Sequence, residues 1–544
     1  MELNLAQINE AISQAYPTRE AIVFRDKRFT YGEFEQRTRQ LANLLISHGF
    51  GCHNPRSSLE NWKSGQDHLG LYMYNCNEYL EGMLGAFKAR VAPFNINYRY
   101  VDEELIYLLN NANTKVLVFH TSLADRVQSI RDKVPSIRLF IQVHDEEGEI
   151  IPDAIEYENS IASCSAAKPD VELDPDDLYI LYTGGTTGMP KGVLWRQHDI
   201  LIAALGGRRS NGEILDSVEE FVARANRSVR VSMPAPPFMH GAGTWNSLQT
   251  FNSGGTNVIQ DNVRKFDAES VLDVIEKERV ENLMLVGDAF GRPLADALEN
   301  STRDLSCLRN VITGGAIMTS TTKEDLINHL PNLNIIDTAG SSETGGQGTH
   351  VSSKKNGVST GSFNLSDLNV VLSEDRSEIL DAGHEGLGWW ARGGNIPLGY
   401  LDDQNKTEDT FPTVKGVRYS VPGDKVRLLA DGSLELHGRE SVTINSGGEK
   451  IFAEEVEQAL KHHPDVFDSV VAGRKSERWG SEVVAIVQLR EGRSKDLDSL
   501  REECEKHIAR YKLPKDFVFV DEVFRSPSGK ADYKWAKRIV DPSS

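Results

Sequence analysis

The sequence lacks a long apolar segment and a positive balance of charge. No apolar run approaches the roughly 20 residues that a membrane-spanning helix needs. The N-terminus has no basic stretch followed by an apolar core, which is the mark of a signal peptide. The formal net charge of the 544 residues is −20, which argues against general binding to nucleic acid or to an anionic membrane, because both require a basic face. We expect a cytoplasmic protein.

Cysteine is also scarce, and its spacing excludes two common uses. The five cysteines include no CxxC pair and no metal-ligand spacing, so neither a disulfide framework nor a zinc site is predicted. We expect them to be structural and unreactive, as small buried apolar side chains are. They are Cys52, Cys76, Cys164, Cys307 and Cys504.

The composition is that of a globular protein of more than one domain. Hydrophobic residues make up 39% and charged residues 26%, and 544 residues exceed what one hydrophobic core accommodates. Strand-like runs alternate with helical segments of 10–20 residues, which predicts an α/β protein with largely parallel sheets. The predicted strands in this part are 116–120, 139–143, 178–182, 256–260, 283–286, 310–313 and 333–336.

The pattern changes after about residue 360. Short strand signals at 368–372, 426–429 and 434–437 predict a small antiparallel or barrel-like unit. Helix and strand signals from residue 456 onward predict a compact α+β domain. We therefore expect an N-terminal domain over residues 1–438 and a C-terminal domain over 439–544.

The most specific segment is the glycine- and threonine-rich stretch at residues 182–192, YTGGTTGMPKG. Its glycines let backbone N–H groups approach a polyphosphate, its threonines add hydroxyl donors, and Lys191 adds a cation. The spacing differs from that of a Walker motif. The alternative is a flexible turn. The predicted phosphate-binding residues are Thr183, Gly184, Gly185, Thr186, Thr187, Gly188 and Lys191.

This loop resembles the signature of the adenylate-forming superfamily, which includes acyl-CoA synthetases, peptide-synthetase adenylation domains and luciferases of the firefly type. Further motifs follow in the family's order as far as Lys530, so the resemblance covers nearly the whole chain. It implies a large N-terminal adenylation domain and a smaller mobile C-terminal domain. It also implies that ATP, Mg²⁺, coenzyme A and a carboxylic acid take part in the reaction.

The resemblance implies further nucleotide contacts. Glu343 corresponds to the family's carboxylate that holds Mg²⁺, with Thr183 as the other protein ligand; the alternative for Glu343 is a solvated loop residue. The family usually has an aromatic residue where Ala339 stands, beside the adenine. Asp424 corresponds to the acceptor of the ribose hydroxyls, although an Asp after Pro-Gly is commonly a turn residue. The nucleotide residues so implied are Gly314, Gly315, Ala316, Ala339, Gly340, Ser341, Ser342, Asp424 and Arg439.

Two residues are candidates for catalysis. Lys530, in Ser-Pro-Ser-Gly-Lys, resembles the family's C-terminal lysine, whose ammonium offsets the charge that builds up when a carboxylate attacks the α-phosphorus. His240 resembles the residue beside the substrate carboxylate, and its imidazole is neutral or charged near neutral pH; a purely structural histidine is the alternative. Gly241 and Gly243 follow it and are predicted to line a tunnel for the acid.

The thiol side of the site is implied by residues 441–455, SVTINSGGEKIFAEE, which resemble the family's hinge and thiol loop. Ser446, Gly447 and Gly448 are the predicted contacts of coenzyme A. Ser441 stands where a charged hinge residue is usual, and Ala453 where a proline is usual.

These motifs predict an ATP-dependent acyl-CoA synthetase. No Asp or cationic cluster marks an amino-acid pocket, which favours a fatty, branched or polycyclic, steroid-like acid. The motif sequences are most similar to those of bacterial fatty-acid and steroid side-chain acyl-CoA synthetases. One alternative is an adenylating enzyme that loads a carrier protein. The carrier would be a separate protein, because about 14 residues follow Lys530, which are too few for a fused carrier domain. A non-catalytic nucleotide sensor is a second alternative. The oligomeric state stays open, a homodimer included.

Overall fold

A computed structural model describes most of the chain. The described residues are 2–183, 189–209, 211–227, 229–360, 362–364, 368–439, 442–446, 449–476, 480–526 and 529–541.

The α-helices of these residues are α1 (Leu5–Ala15), α2 (Tyr31–Ser47), α3 (Asn77–Lys88), α4 (Asp102–Asn111), α5 (Ala124–Ile130), α6 (Tyr157–Ala162), α7 (Gln197–Ala204), α8 (Val218–Arg227), α9 (Gly241–Asn252), α10 (Ala268–Glu278), α11 (Gly287–Leu298), α12 (Ser320–His329), α13 (Gln404–Thr410), α14 (Ala453–Lys461), α15 (Leu497–His507) and α16 (Tyr533–Val540).

The strands are β1 (Glu20–Phe24), β2 (Lys27–Thr30), β3 (His68–Tyr72), β4 (Ala92–Asn95), β5 (Val116–His120), β6 (Leu139–Val143), β7 (Ala154–Glu156), β8 (Leu178–Thr183), β9 (Lys191–Arg196), β10 (Val231–Pro234), β11 (Thr256–Ile259), β12 (Asn282–Leu285), β13 (Asn310–Gly314), β14 (Asn334–Ser341), β15 (Gly345–Ser353), β16 (Ser362–Asn364), β17 (Asn369–Leu372), β18 (Gly388–Arg392), β19 (Gly399–Tyr400), β20 (Thr413–Val414), β21 (Val417–Arg418), β22 (Asp424–Leu428), β23 (Ser433–Arg439), β24 (Thr443–Ser446), β25 (Glu449–Phe452), β26 (Val466–Ser476), β27 (Gly480–Leu489) and β28 (Asp516–Phe519).

Two eight-stranded sheets form the centre of the N-terminal part. One has the order β15-β14-β13-β12-β10-β11-β1-β2, and the other has the order β19-β9-β8-β4-β3-β5-β6-β7. Most neighbouring strands in both sheets are parallel, with antiparallel pairs at β14–β15, β1–β2, β8–β9 and β9–β19. Because parallel strands require helical crossovers, this arrangement confirms the predicted α/β class.

The hydrophobic core is layered around these sheets. One cluster joins apolar side chains of both sheets to α1, α2, α3 and α9, so these helices lie between the sheets. The second sheet packs its other face against α4 and α5, and the first sheet packs its other face against α10, α11 and α12. Both sheets are therefore covered on two faces, as the continuous apolar runs of parallel strands require.

Local sequence signals start the helices at defined residues. Thr30 caps α2: its hydroxyl accepts a hydrogen bond from the Glu33 N–H at 3.2 Å, and Glu33 Oε2 accepts from the Thr30 N–H at 2.8 Å. This reciprocal pair satisfies two N–H groups that the first helical turn leaves without partners. It explains why the helix begins at Tyr31.

Two smaller sheets complete the fold. Strands β16-β23-β22-β18-β17 form the small antiparallel unit predicted after residue 360. Strands β25-β24-β27-β26, with β28 beside β27, form the C-terminal α+β unit with α14, α15 and α16. The sequence analysis did not predict α1 or the β1–β2 hairpin, and β14 continues five residues beyond its predicted end, to Ser341.

Within the described ranges, no helix combines the length and the apolar character that crossing a bilayer would require.

Candidate active site

The predicted phosphate loop connects two antiparallel strands. Thr183 ends β8 and lies opposite Lys191, the first residue of β9. The loop therefore begins and ends at one cross-strand pair, unlike a Walker loop, which leads from a strand into a helix. Gly184, Gly185, Thr186, Thr187 and Gly188 lie outside the described residues, so their predicted roles stay predictions.

Lys191 is held beside an aromatic ring and a carboxylate. Its ammonium lies 2.5 Å from Asp403 Oδ2 and 5.8 Å from the centre of the Tyr400 ring. Tyr400 is buried and belongs to β19, which pairs with β9. The strand pairing thus fixes where the Lys191 side chain leaves the sheet.

Glu343 lies in the turn between β14 and β15, where three separate segments hold it. The Tyr400 hydroxyl donates to Glu343 Oε1 at 2.8 Å, and the Ser420 hydroxyl donates to the Glu343 carbonyl at 2.6 Å. The Trp195 indole donates to the neighbouring Ser342 carbonyl at 2.9 Å. The phosphate-loop strand, the Glu343 turn and the segment before Asp424 therefore meet at one point.

The donor set near Glu343 fits a magnesium ion that arrives with a nucleotide. Among the described residues, no group of three or more His, Cys, Asp or Glu side chains could hold a metal ion alone. Magnesium usually takes one or two protein oxygens, with water and substrate phosphates completing its octahedron. A single carboxylate at Glu343 and the Thr183 hydroxyl match that need, so we assign no protein-only metal site.

The predicted adenine-side loops are built from small residues because the backbones there approach closely. A Cβ on Gly314 would lie 2.3 Å from Thr338 Oγ1, and one on Gly340 would lie 2.1 Å from the Gly345 carbonyl oxygen. Gly315 has φ +82°, a conformation that favours glycine. Ala339 packs beside the cluster of the small antiparallel sheet, which includes Phe363 and Trp390.

Asp424 and Arg439 are neighbours across the sheet. They are Cα partners at the ends of β22 and β23. The carboxylate of Asp424 is half-buried, and the side chain of Arg439 lies outside the described atoms. The backbone register brings these two predicted ribose residues together, although they are separate motifs in the sequence.

Lys530 reaches the adenine-side loop from the C-terminal unit. The ideal Cβ position of Gly315 is 3.4 Å from Lys530 Cε. The preceding Gly529 packs on the N-terminal part, where an added Cβ would lie 3.1 Å from both Ala289 Cβ and the Val286 carbonyl oxygen. The structure therefore brings Lys530 to the same edge of the first sheet as Gly314–Ala316.

His240 precedes α9, and its side chain is partly exposed while its Nε2 atom is buried. Among the described atoms, His240 Nε2 has no hydrogen-bond partner and almost no contact with solvent. Burial, aided by the positive charges of Lys530 and Arg99, lowers the pKa of His240 to about 3. The imidazole is therefore neutral at neutral pH, which decides between the two protonation states that the sequence left open.

Two buried asparagines fix the loop that carries His240. Asn75 accepts from the Phe238 N–H at 2.6 Å and donates to the Pro236 carbonyl at 3.2 Å. Asn95 donates to the Met239 carbonyl at 2.6 Å and to the Tyr182 carbonyl at 2.9 Å. Asn95 thus ties the residue before His240 to the strand that leads into the phosphate loop.

The two glycines after His240 have different surroundings. A Cβ on Gly241 would meet side chains, Trp245 Cε2 at 3.3 Å and Leu181 Cδ2 at 3.4 Å. A Cβ on Gly243 would meet backbone, with the Pro236 and Pro237 carbonyl oxygens at 2.6 and 2.7 Å. Gly243 therefore permits close packing of α9 on the His240 loop, and the space beside it is filled by backbone.

The predicted thiol loop lies in the hairpin of β24 and β25. Ser446 pairs with Glu449 across that hairpin and with Gly480 of β27. Ser441, Gly447 and Gly448 lie outside the described residues. The contacts of coenzyme A therefore stay predictions.

Sequence reasoning missed four residues that assemble the site. Tyr400 and Asp403 position Glu343 and Lys191, and Asn75 and Asn95 position the His240 loop. The available signal was an asparagine at the end of an apolar strand, in APFN of β4. A buried amide in such a place must find partners, and it does so where loops converge.

Two family models match the chain. The model described as AMP-binding enzyme matches residues 9–401, and the model described as AMP-binding enzyme C-terminal domain matches residues 455–530. The first contains Thr183, His240 and Glu343, and the second ends at Lys530.

Curated relatives match along nearly the whole chain. The medium-chain acyl-CoA ligase Mig of Mycobacterium avium is 50% identical over 533 residues, 97% of either chain. The 3-oxocholest-4-en-26-oate–CoA ligase of Rhodococcus rhodochrous is 37% identical over 549 residues, 99% of this chain and 96% of its own. The solved structure of the anthranilate CoA ligase AuaEII with anthranoyl-AMP matches with a TM-score of 0.83 at 20% identity, over 100% of this chain and 98% of its own. The overall fold is therefore shared from end to end.

Proposed function

Because this chain belongs to the AMP-binding enzyme family and is an AMP-forming acid–thiol ligase, we propose that its acid is a medium- or long-chain fatty acid or a steroid side-chain acid. The relatives named for a medium-chain acid and for 3-oxocholest-4-en-26-oate support this class of substrate. The observation that carries the adenylation chemistry is the meeting of Lys530 with the Gly314–Ala316 loop, beside a neutral His240.

The first half-reaction makes the acyl-adenylate. A carboxylate oxygen forms a bond to the α-phosphorus of ATP, and the bond from that phosphorus to the α,β-bridging oxygen breaks, so pyrophosphate leaves. Lys530 stabilises the negative charge that develops on the transferring phosphoryl group. His240 Nε2, with no other partner among the described atoms, holds the acid's carboxylate in line.

The nucleotide is held by residues from three sheets: the first sheet, the second sheet and the small antiparallel sheet. Asp424 accepts from the ribose hydroxyls with Arg439 beside it, and the loop from Thr183 to Lys191 binds the phosphates. Glu343 and Thr183 would hold Mg²⁺, which offsets phosphate charge when bound. Tyr400 keeps the Glu343 carboxylate oriented toward that position.

The second half-reaction forms the thioester. The thiolate of coenzyme A attacks the acyl carbon, and AMP leaves with the bonding electrons. We propose that the domains meet near residue 438, that the 439–544 domain rotates between the two half-reactions, and that Ser446, Gly447 and Gly448 then face the thiol. A rotation of this kind commonly gates turnover.

Compartment and partners follow from the same proposal. ATP and coenzyme A are water-soluble co-substrates, so we propose that the enzyme acts in the cytoplasm. A homodimer is compatible with the chemistry, because each chain carries a full set of site residues. A separate carrier protein in place of coenzyme A is the second candidate for the acyl acceptor.

One experiment tests the proposal directly. ATP–pyrophosphate exchange is measured over short, medium, long and steroidal acids and then repeated with coenzyme A while thioester is followed. We expect exchange with medium, long or steroidal acids and thioester only with coenzyme A. Exchange without any thioester would favour the carrier protein, and no exchange with any acid would contradict the proposal.

A further inference from the structure

A buried ion cluster crosses from the N-terminal part to the C-terminal unit. Lys461, at the end of α14, lies 3.1 Å from Asp468 Oδ1 and 3.6 Å from Asp288 Oδ2. Asp288 is in the first turn of α11, on the other side of the boundary. The side chains of Lys461 and Asp288 are 8% and 3% exposed, so this interdomain pair is enclosed.

The same cluster supports the segment that carries Lys530. Arg525 binds Asp468 through two nitrogens, at 2.5 and 2.8 Å, and donates to the Gly529 carbonyl at 3.1 Å. Burial raises the pKa of Asp468, but the positive charges of Lys461 and Arg525 outweigh it and hold that pKa below its ordinary value. Asp468 is therefore ionised between the two cations.

Asp288 is also held by hydrogen bonds within the N-terminal part. Its Oδ1 accepts from the Thr319 N–H at 2.9 Å and from the Thr319 hydroxyl at 3.1 Å. Its Oδ2 has no hydrogen-bond partner among the described atoms, and the nearest ion-pair contact is Lys461. Oδ1 therefore makes hydrogen bonds within the N-terminal part, and Oδ2 faces Lys461 of the C-terminal unit.

We propose that Asp288 is a positioning residue for adenylate formation: through Lys461 and Asp468 it holds the C-terminal unit in the orientation that brings Lys530 to Gly315. The proposal rests on the function given above. A rotation that withdraws Lys530 also withdraws Lys461, so Asp288 keeps this partner only in the observed orientation. A buried carboxylate that loses its partner is costly, so the pair favours this orientation over the one that admits the thiol.

The test uses Asp288→Asn in the full-length enzyme. Asparagine keeps an Oδ1 that accepts from Thr319 and places an amide in front of Lys461, so the fold of the N-terminal part is preserved while the charge is lost. We expect ATP–pyrophosphate exchange to fall about tenfold, while thioester formation from supplied acyl-adenylate changes less than about twofold. A parallel fall of both half-reactions, or no change in either, would overturn the proposal.

A matched control and a double variant separate the pair from general damage to the interface. Arg490→Gln removes the exposed interdomain pair of Arg490 with Asp296, 3.3 Å apart and 30% and 39% exposed, and should leave both half-reactions within about twofold. Lys461→Met should mimic Asp288→Asn, and the double variant should be no slower than the slower single variant. Additive losses would contradict a coupled pair.

A readout without catalysis keeps this proposal distinct from the function itself. The variant Asp296→Cys/Arg490→Cys, in a background with Cys52→Ser, Cys164→Ser and Cys307→Ser, is treated with a short bismaleimide that joins the two new thiols. The rate of cross-linking measures how often the two parts adopt this orientation. We expect Asp288→Asn to slow it several-fold, and an unchanged rate would overturn the proposal. If the parent enzyme activates no acid, the proposed function fails, yet the cross-linking rate still decides the role of Asp288.

Discussion

The Tyr400 hydroxyl donates a 2.8 Å hydrogen bond to Glu343 Oε1, across 57 residues of sequence. The Tyr400 ring also lies beside the Lys191 ammonium. One buried tyrosine therefore links the end of the phosphate loop to the carboxylate proposed to hold Mg²⁺. The arrangement gives Glu343 a fixed direction before any nucleotide binds, which is the usual role of an outer-shell partner.

We expect Tyr400→Phe to raise the apparent KM for Mg²⁺ at fixed ATP by about tenfold. The variant keeps the buried ring and removes one hydrogen bond to a charged group, which is worth about 1.5–3 kcal/mol. The measurement is the Mg²⁺ dependence of ATP–pyrophosphate exchange. Tyr419→Phe is the control, because Tyr419 is equally buried and has no contact with Glu343 among those described. Equal effects of the two variants would contradict the role given to Tyr400.

Lys530→Ala should abolish acyl-adenylate formation and leave thioester formation from supplied acyl-adenylate largely intact. The reason is that Lys530 reaches Gly315 only when the C-terminal unit stands as observed. Single-turnover rates of each half-reaction measure the difference. Lys534→Ala removes an exposed lysine nearby and should change neither rate. Loss of both half-reactions in a folded Lys530→Ala protein would refute the assignment.

The lowered pKa of His240 predicts a pH-dependent stability. Burial and the charges of Lys530 and Arg99 lower its pKa to about 3 in the folded protein, while the unfolded chain keeps a value of about 6.5. Between these values only the unfolded chain binds the proton, so this histidine lowers the free energy of unfolding as pH falls below about 6.5. Above that pH the imidazole is neutral in both states, so it adds no pH dependence to the free energy of unfolding.

His240→Gln removes this titration. The free energy of unfolding of the variant, minus that of the parent protein, should therefore increase as pH decreases from 7 to 5. The slope should approach about 1.4 kcal/mol per pH unit once pH is well below 6.5. Urea unfolding at pH 7, 6 and 5 provides the measurement. A difference that does not vary with pH would mean that the imidazole is accessible to protons in the folded protein.

Gly241→Leu should discriminate between acids by size. The added side chain would occupy space bounded by Trp245 and Leu181, so kcat/KM for long or steroidal acids should fall about 10–200-fold and short acids should be spared. Gly243→Ala is the contrasting variant. Its Cβ would meet the Pro236 carbonyl, so it should shift the His240 loop, slow all acids alike and cost about 1–3 kcal/mol of stability. If kcat/KM varied with acid chain length in the same way for both variants, Gly241 would not line the tunnel.

Some features of this protein were determined by the sequence alone. The strands at 116–120 and 139–143 were predicted to the residue, because apolar runs between turn signals depend on local backbone preferences. The family was also evident from the order of its motifs, since each motif is a short continuous segment. The class of the reaction followed from them.

Other features were decided only by the tertiary structure. The contacts of Tyr400 with Glu343, of Asn95 with Met239 and of Lys461 with Asp288 join residues far apart in the chain. No local periodicity encodes such pairs, because they depend on which strands are neighbours and on how the two parts of the chain face each other. The neutral state of His240 and the backbone that fills the space beside Gly243 have the same origin. Burial and close packing are properties of the assembled molecule, and a single segment of sequence does not carry them.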